Sequence, residues 1–157
     1  MRPRLPGRAP AVTSRAPGSV TDAFWVAVTA PGVTPGGERS GKWLVFVPAA
    51  HHDEVWSRIA AATVAGRLGT AAKAQTAREA PYRAEGAPRL ICVYTADHGD
   101  LADVERVLGG LRDLGIAGHL SYKTDAATLA GRYGKGTAAY VSRAGTRQAV
   151  ASGGGGM

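Results

Sequence analysis

The sequence predicts one α/β or α+β domain in which helices cover one face of a sheet, and three observations predict it. The runs GKWLVFV, RLICVYT and HLSYKTD are rich in β-branched and aromatic residues, the composition of strands. Between them lie two stretches whose apolar residues recur at spacings of three and four, the helical period. The connections exceed the short turn of a hairpin, so strands and helices must pack as layers. A chain of 157 residues is long enough for one hydrophobic core and short for two. The domain is expected over residues 23–143, with a disordered basic tail over 1–22 and a flexible C-terminal tail over 144–157.

Residues 24–29 (FWVAVT) read as an edge strand and are followed by a loop, PGVTPGGERSG. Residues 42–47 form the next strand, ended by Pro48. Because Trp43, Leu44, Val45, Phe46 and Val47 are all apolar, this strand is expected to be buried on both faces. A helix is predicted over 53–66, with Asp53 and Glu54 in its first turn and Val55, Trp56, Ile59, Ala62 and Thr63 toward the core. Residues 70–76 (TAAKAQT) are ambiguous, since alanine is a weak strand former. A loop with Pro81, Gly86 and Pro88 leads to the clearest strand, 89–95. In the second helix Leu101, Val104, Leu108 and Leu111 form an apolar stripe, and Gly109-Gly110 allows close packing or a bend. A strand over 119–123 follows, then a short helix over 126–131 capped by Thr124 or Asp125. Residues 138–142 read as a last strand.

The formal net charge is +7, which favours phosphate-bearing or otherwise acidic partners through the long-range field. Arg2, Arg4, Arg8 and Arg15 supply four of those charges, with no acid before Asp22, so the domain itself is only mildly basic. Prolines at 3, 6, 10 and 17 interrupt any amphipathic helix that an organelle-targeting reading would need. No apolar run approaches the roughly 18–20 residues of a membrane span. Cys92 is the single cysteine, which excludes an internal disulfide; lying in an apolar run, it is expected to be an inert core thiol in a cytoplasmic protein.

No metal or cofactor signature stands out, and none is expected to be bound. His51-His52 lacks partner ligands at useful spacing and is expected to be solvated. GGERSGK falls short of a phosphate loop, because Trp43 occupies the hydroxyl position. What remains is a set of cations near strand ends: Lys42, Lys73, Arg89, Lys123, Arg132 and Lys135. A lysine among small apolar residues can serve as a base, and Lys73 in TAAKAQT fits that role; Lys42 and Lys123 fit phosphate binding.

The spaced set SGKW, DEVW, AAATVAGRLG, AAKAQTA, ICVYTAD, GI and YKTD, from Phe24 to Tyr133, resembles the basophilic-leukaemia-expressed protein family, whose members carry the label of phosphothreonine-lyase-domain proteins. The resemblance implies an α+β fold like that of the cap-binding translation initiation factor: a curved, mainly antiparallel sheet backed on one face by two longer helices and one short helix. The label implies elimination of phosphate from phosphothreonine or phosphoserine by a carbon–oxygen lyase. By that resemblance Lys73 is the catalytic base, and Lys42, Tyr94 and Lys123 bind phosphate. Leu44 stands two residues after Lys42, where the lyase pattern has its acid histidine, so that role is unmatched. The expected partner is a phosphorylated peptide or other anionic ligand, with no membrane contact. The alternative is a non-catalytic RNA- or nucleotide-binding module. A cap-like sandwich would need two of Trp25, Trp43 and Trp56, but Trp43 and Trp56 are expected in the core.

Overall fold

The computed structural model describes residues 15–81, 83–131 and 138–152. Its elements run β1 (Trp25–Thr29), β2 (Gly41–Val47), α1 (Ala49–Val64), β3 (Ala71–Gln75), β4 (Arg89–Thr95), α2 (Leu101–Asp113), β5 (Leu120–Thr124), α3 (Asp125–Leu129), β6 (Tyr140–Ser142) and β7 (Val150–Ala151). The described strands form one curved sheet in the order β1-β3-β4-β2-β5-β6-β7, and every adjacent pair is antiparallel. The fold is therefore α+β, with α1 and α2 packed on one face.

Strand parity decides what that face buries, because successive side chains point to opposite sides. Trp43, Val45 and Val47 of β2, Ile91 and Val93 of β4, Ala72 and Ala74 of β3, and Leu120 and Tyr122 of β5 point into the core. There they meet Trp56, Ile59 and Ala60 of α1 and Val104, Val107, Leu108 and Leu111 of α2. Trp43 and Trp56 are core residues, as expected. The Trp43 indole N–H donates to the Val104 carbonyl at 3.0 Å, and the Tyr122 ring stands edge-on to it at 5.3 Å. Small residues permit close approach: a side chain on Gly110 of α2 would press on Leu68, and the alanines of β3 let the helix layer lie near the sheet.

Four expectations are corrected. The strand at 42–47 is not buried on both faces: its side chains alternate, and Phe46 is 59% exposed between buried Val45 and Val47. Helix α1 begins at Ala49, directly after Pro48, four residues earlier than the acidic pair suggested. Asp53 therefore lies outside the first turn, and its carboxylate accepts the Gly18 N–H at 2.7 Å. His52 is fully buried rather than solvated, and burial, the largest cause, lowers its pKa, with the Leu90 backbone opposing. The supposed tails also contribute structure: Pro17–Ser19 makes a 3-10 turn and Val20 is fully buried, while β7 pairs with β6 and the Ala149 N–H donates to Glu105 at 2.9 Å. Among the described residues, no helix is long and apolar enough to cross a membrane.

Candidate ligand-binding cleft

The face of the sheet away from α1 and α2 is concave, and the opposite strand parity supplies its side chains. The register stacks them in rows. Lys42 of β2 stands between Tyr94 of β4 and Lys123 of β5. One row on, Leu44 pairs with Cys92, Cys92 with Lys73, and Lys73 with Ala27. In the next, Phe46 pairs with Leu90, and Gln75 pairs with Trp25. A cleft of about 630 Å³ opens on these rows, lined by Lys42, Lys73 and Lys123 with Trp25, Leu44, Phe46, Gln75, Leu90 and Cys92, and by Thr128 of α3.

Three of the sequence-predicted site residues, Lys42, Lys73 and Lys123, thus reach one cleft from three strands. Lys42 and Lys123 are each 7% exposed and are cross-strand partners, a like-charge juxtaposition that costs stability. Burial, then the Lys42 charge, lowers the Lys123 pKa. The Asp125 carboxylate offsets this repulsion: it accepts from the Lys42 ammonium at 2.6 Å and from the Ser40 hydroxyl, and Lys42 donates also to the Thr128 hydroxyl at 2.9 Å. Asp125 is placed for this because Thr124 caps α3, its hydroxyl accepting the Ala127 N–H, while the Asp125 N–H donates to the Ser40 carbonyl at 2.9 Å.

Lys73 has a different neighbour. Its ammonium lies 4.1 Å from the centre of the Trp25 ring, a cation–π contact made by the charged form. Tyr94 presents its ring to Lys42 at 5.8 Å, and burial raises its phenol pKa, which keeps it a neutral donor. Cys92 is buried as expected, and burial pushes its thiol up to about 11, yet it lines the cleft rather than the helix-covered core. Leu44, at the position of the missing acid, is a neighbour of the lysines and supplies no proton. Arg89 lines a separate hollow with Arg83, Glu79 and Glu85. Arg132 and Lys135 lie outside the described residues. Among the described residues no group of three or more His, Cys, Asp or Glu is arranged to hold a metal ion.

Sequence reasoning missed Asp125 as the partner of Lys42, and Gln75, Leu90 and Phe46 as cleft wall. A period-two reading of the two apolar strands would have found the wall. Asp125 carried no such signal, since it reads as an ordinary helix-start acid.

A family model described as basophilic leukemia-expressed protein Bles03 matches residues 35–131. The solved complex of C. elegans eIF4E-3 with the 4E-binding protein Mextli and a cap analog is similar in fold, with a TM-score of 0.54 at 20% identity. The match covers 68% of this chain and 65% of that one, so it spans less than two thirds of the neighbour's length.

Proposed function

The chain belongs to the basophilic leukemia-expressed protein Bles03 family, and on that premise we propose that it is a phosphate-recognising protein whose concave cleft holds a phosphate-bearing ligand on Lys73, Lys123 and Lys42. The observation that carries this reading is the convergence of three lysines on one cleft. Lys42 shares its charge with Asp125 at 2.6 Å, and Lys73 and Lys123 bring two further cations to the same cleft. Tyr94 stands beside Lys42 on the neighbouring strand, its ring centre 5.8 Å from the ammonium, and as a neutral phenol contributes no competing anion.

Elimination of phosphate from phosphothreonine or phosphoserine is the second reading, and Lys73 is its base. Proton removal from the α-carbon would have to proceed with Leu44 where the acid is needed. Loss of a general acid lowers such a rate by roughly 10²–10⁴-fold, so binding without efficient turnover is favoured. The protein should bind a phosphothreonine peptide more tightly than its unphosphorylated form in calorimetry, with Lys73→Ala and Lys123→Ala each weakening the difference. Equal affinity for the two peptides would refute phosphate recognition. Mass spectrometry of the same peptide then tests the chemistry: loss of phosphoric acid that disappears in Lys73→Ala establishes elimination, and an intact phosphopeptide leaves binding alone.

A further inference from the structure

The lysines do not account for the whole cleft. Beyond them its surface continues as an apolar wall made by Trp25, Leu90 and Phe46, with Leu44 and Cys92 between wall and cations. Along β2, Lys42 and Phe46 are four residues apart, about 13 Å at the rise of a strand. Phe46 is the most open side chain of that strand, an aromatic ring left facing the concavity. A phosphate ester of a short aliphatic side chain would engage the lysines and leave this wall bare. Gln75 sits within the wall, and its amide carbonyl accepts the Leu90 N–H at 2.8 Å.

The charges constrain what can lie there. The face of Trp25 is the natural stacking platform, and the Lys73 ammonium is 4.1 Å from its centre. A ring with a fixed positive charge would meet that ammonium, with Lys42 and Lys123 nearby and Asp125 already paired to Lys42. An uncharged flat ring suffers no such repulsion, and its phosphate draws Lys73 toward the cation end.

We propose that the ligand of this cleft is a nucleotide-sized phosphate with a flat, uncharged ring, the ring lying on the Trp25, Leu90 and Phe46 wall and the phosphate on Lys73 and Lys123. The ring site rests on the phosphate-recognition reading above and adds to it a ligand class and a discrimination against cationic rings.

Calorimetric titration of the full chain with guanosine monophosphate, 7-methylguanosine monophosphate, inorganic phosphate and a phosphothreonine peptide tests it. The unmethylated nucleotide should bind at least about tenfold more tightly than inorganic phosphate, the scale of one base–aromatic stack, and more tightly than the methylated nucleotide and the peptide. Phe46→Ala, at a position exposed enough to leave folding intact, should lower the nucleotide-to-phosphate affinity ratio about fivefold. Equal affinity for nucleotide and phosphate, or a preference for the methylated ring or the peptide, would overturn the ring site while leaving phosphate recognition standing. No binding of any of the four probes would overturn both.

Discussion

Replacing Asp125 by Asn should separate stability from ligand binding and move them in opposite directions. In the native cleft the carboxylate accepts from the Lys42 ammonium at 2.6 Å and from the Ser40 hydroxyl, with side-chain exposures of 9% for Lys42 and 23% for Asp125. An amide keeps the shape and one acceptor oxygen but removes the charge. Hydrogen bonds to a charged group contribute about 1.5–3 kcal/mol against about 0.5–1.5 for neutral ones, so weakening two of them costs about 2 kcal/mol. Part of that cost is the renewed repulsion between Lys42 and Lys123, which stand directly opposite each other. For a chain of this size the loss corresponds to a melting temperature lower by roughly 4–8 °C. The cleft meanwhile gains one net positive charge, and a unit charge about 4 Å from a bound anion in water-like screening is worth about 1 kcal/mol, or roughly fivefold in affinity. Thermal unfolding and calorimetric phosphate titration of the variant measure the two quantities. Unchanged stability would show that the pair offsets nothing, and unchanged or weaker phosphate affinity would show that the lysines do not hold the anion.

Three further outcomes follow from the packing and the titrating groups. A side chain on Gly69 would overlap the backbone carbonyl of Tyr94, so Gly69→Ala must spread β3 from β4; urea denaturation should show a loss of at least about 2 kcal/mol, and a loss under about 0.5 would contradict the approach of the two strands. Tyr122→Phe strands the buried Thr95 hydroxyl now bonded to the phenol at 2.6 Å and should cost about 1–2 kcal/mol by the same assay, with no change meaning that the pair adds nothing. At alkaline pH, burial raises the Cys92 thiol from its ordinary 9.0 to about 11, so the unfolded chain sheds that proton first. The stability this group confers is intact below pH 9.0, is lost between there and about 11, and totals about 2–3 kcal/mol. Tyr122, raised by burial as well, works in the same direction at higher pH. Lys123, whose pKa burial lowers from 10.5, opposes both: the cost of its charge is relieved as pH rises through its folded value. The urea midpoint should therefore fall from about pH 9 to about pH 11 and fall less in Cys92→Ala; parallel losses in the two proteins would refute the thiol's part.

Much of the architecture was legible because it is written locally. The runs at 42–47 and 89–95 became β2 and β4 within one residue of their expected bounds, since β-branched and aromatic side chains favour the pleated surface wherever it lies. The stripe of Val104, Leu108 and Leu111 gave α2 for the same kind of reason. Residues 70–76 resisted because Ala72 and Ala74 reflect close packing under the helices rather than strand propensity. The ends resisted as well: Val20 is ordered by burial in the core, and Val150 by pairing with Val141.

The sequence by itself determined that Lys42 and Lys123 sit in strands, where parity places each of them opposite its buried neighbours, whereas the strand that carries Lys73 came only with the fold. Only the tertiary structure decided that they share a cleft, that Asp125 holds Lys42, and that Trp25 carries Lys73. The physical reason is that strand order is fixed by backbone hydrogen bonds, which are chemically alike for every pair, and by helix packing over many residues. β2 lies between β4 and β5, though a helix, a strand and a long loop separate it from β4 in the chain and a further helix separates β4 from β5. Parity is a property of neighbours two residues apart, whereas convergence is a property of partners more than thirty residues apart, and no local pattern records it.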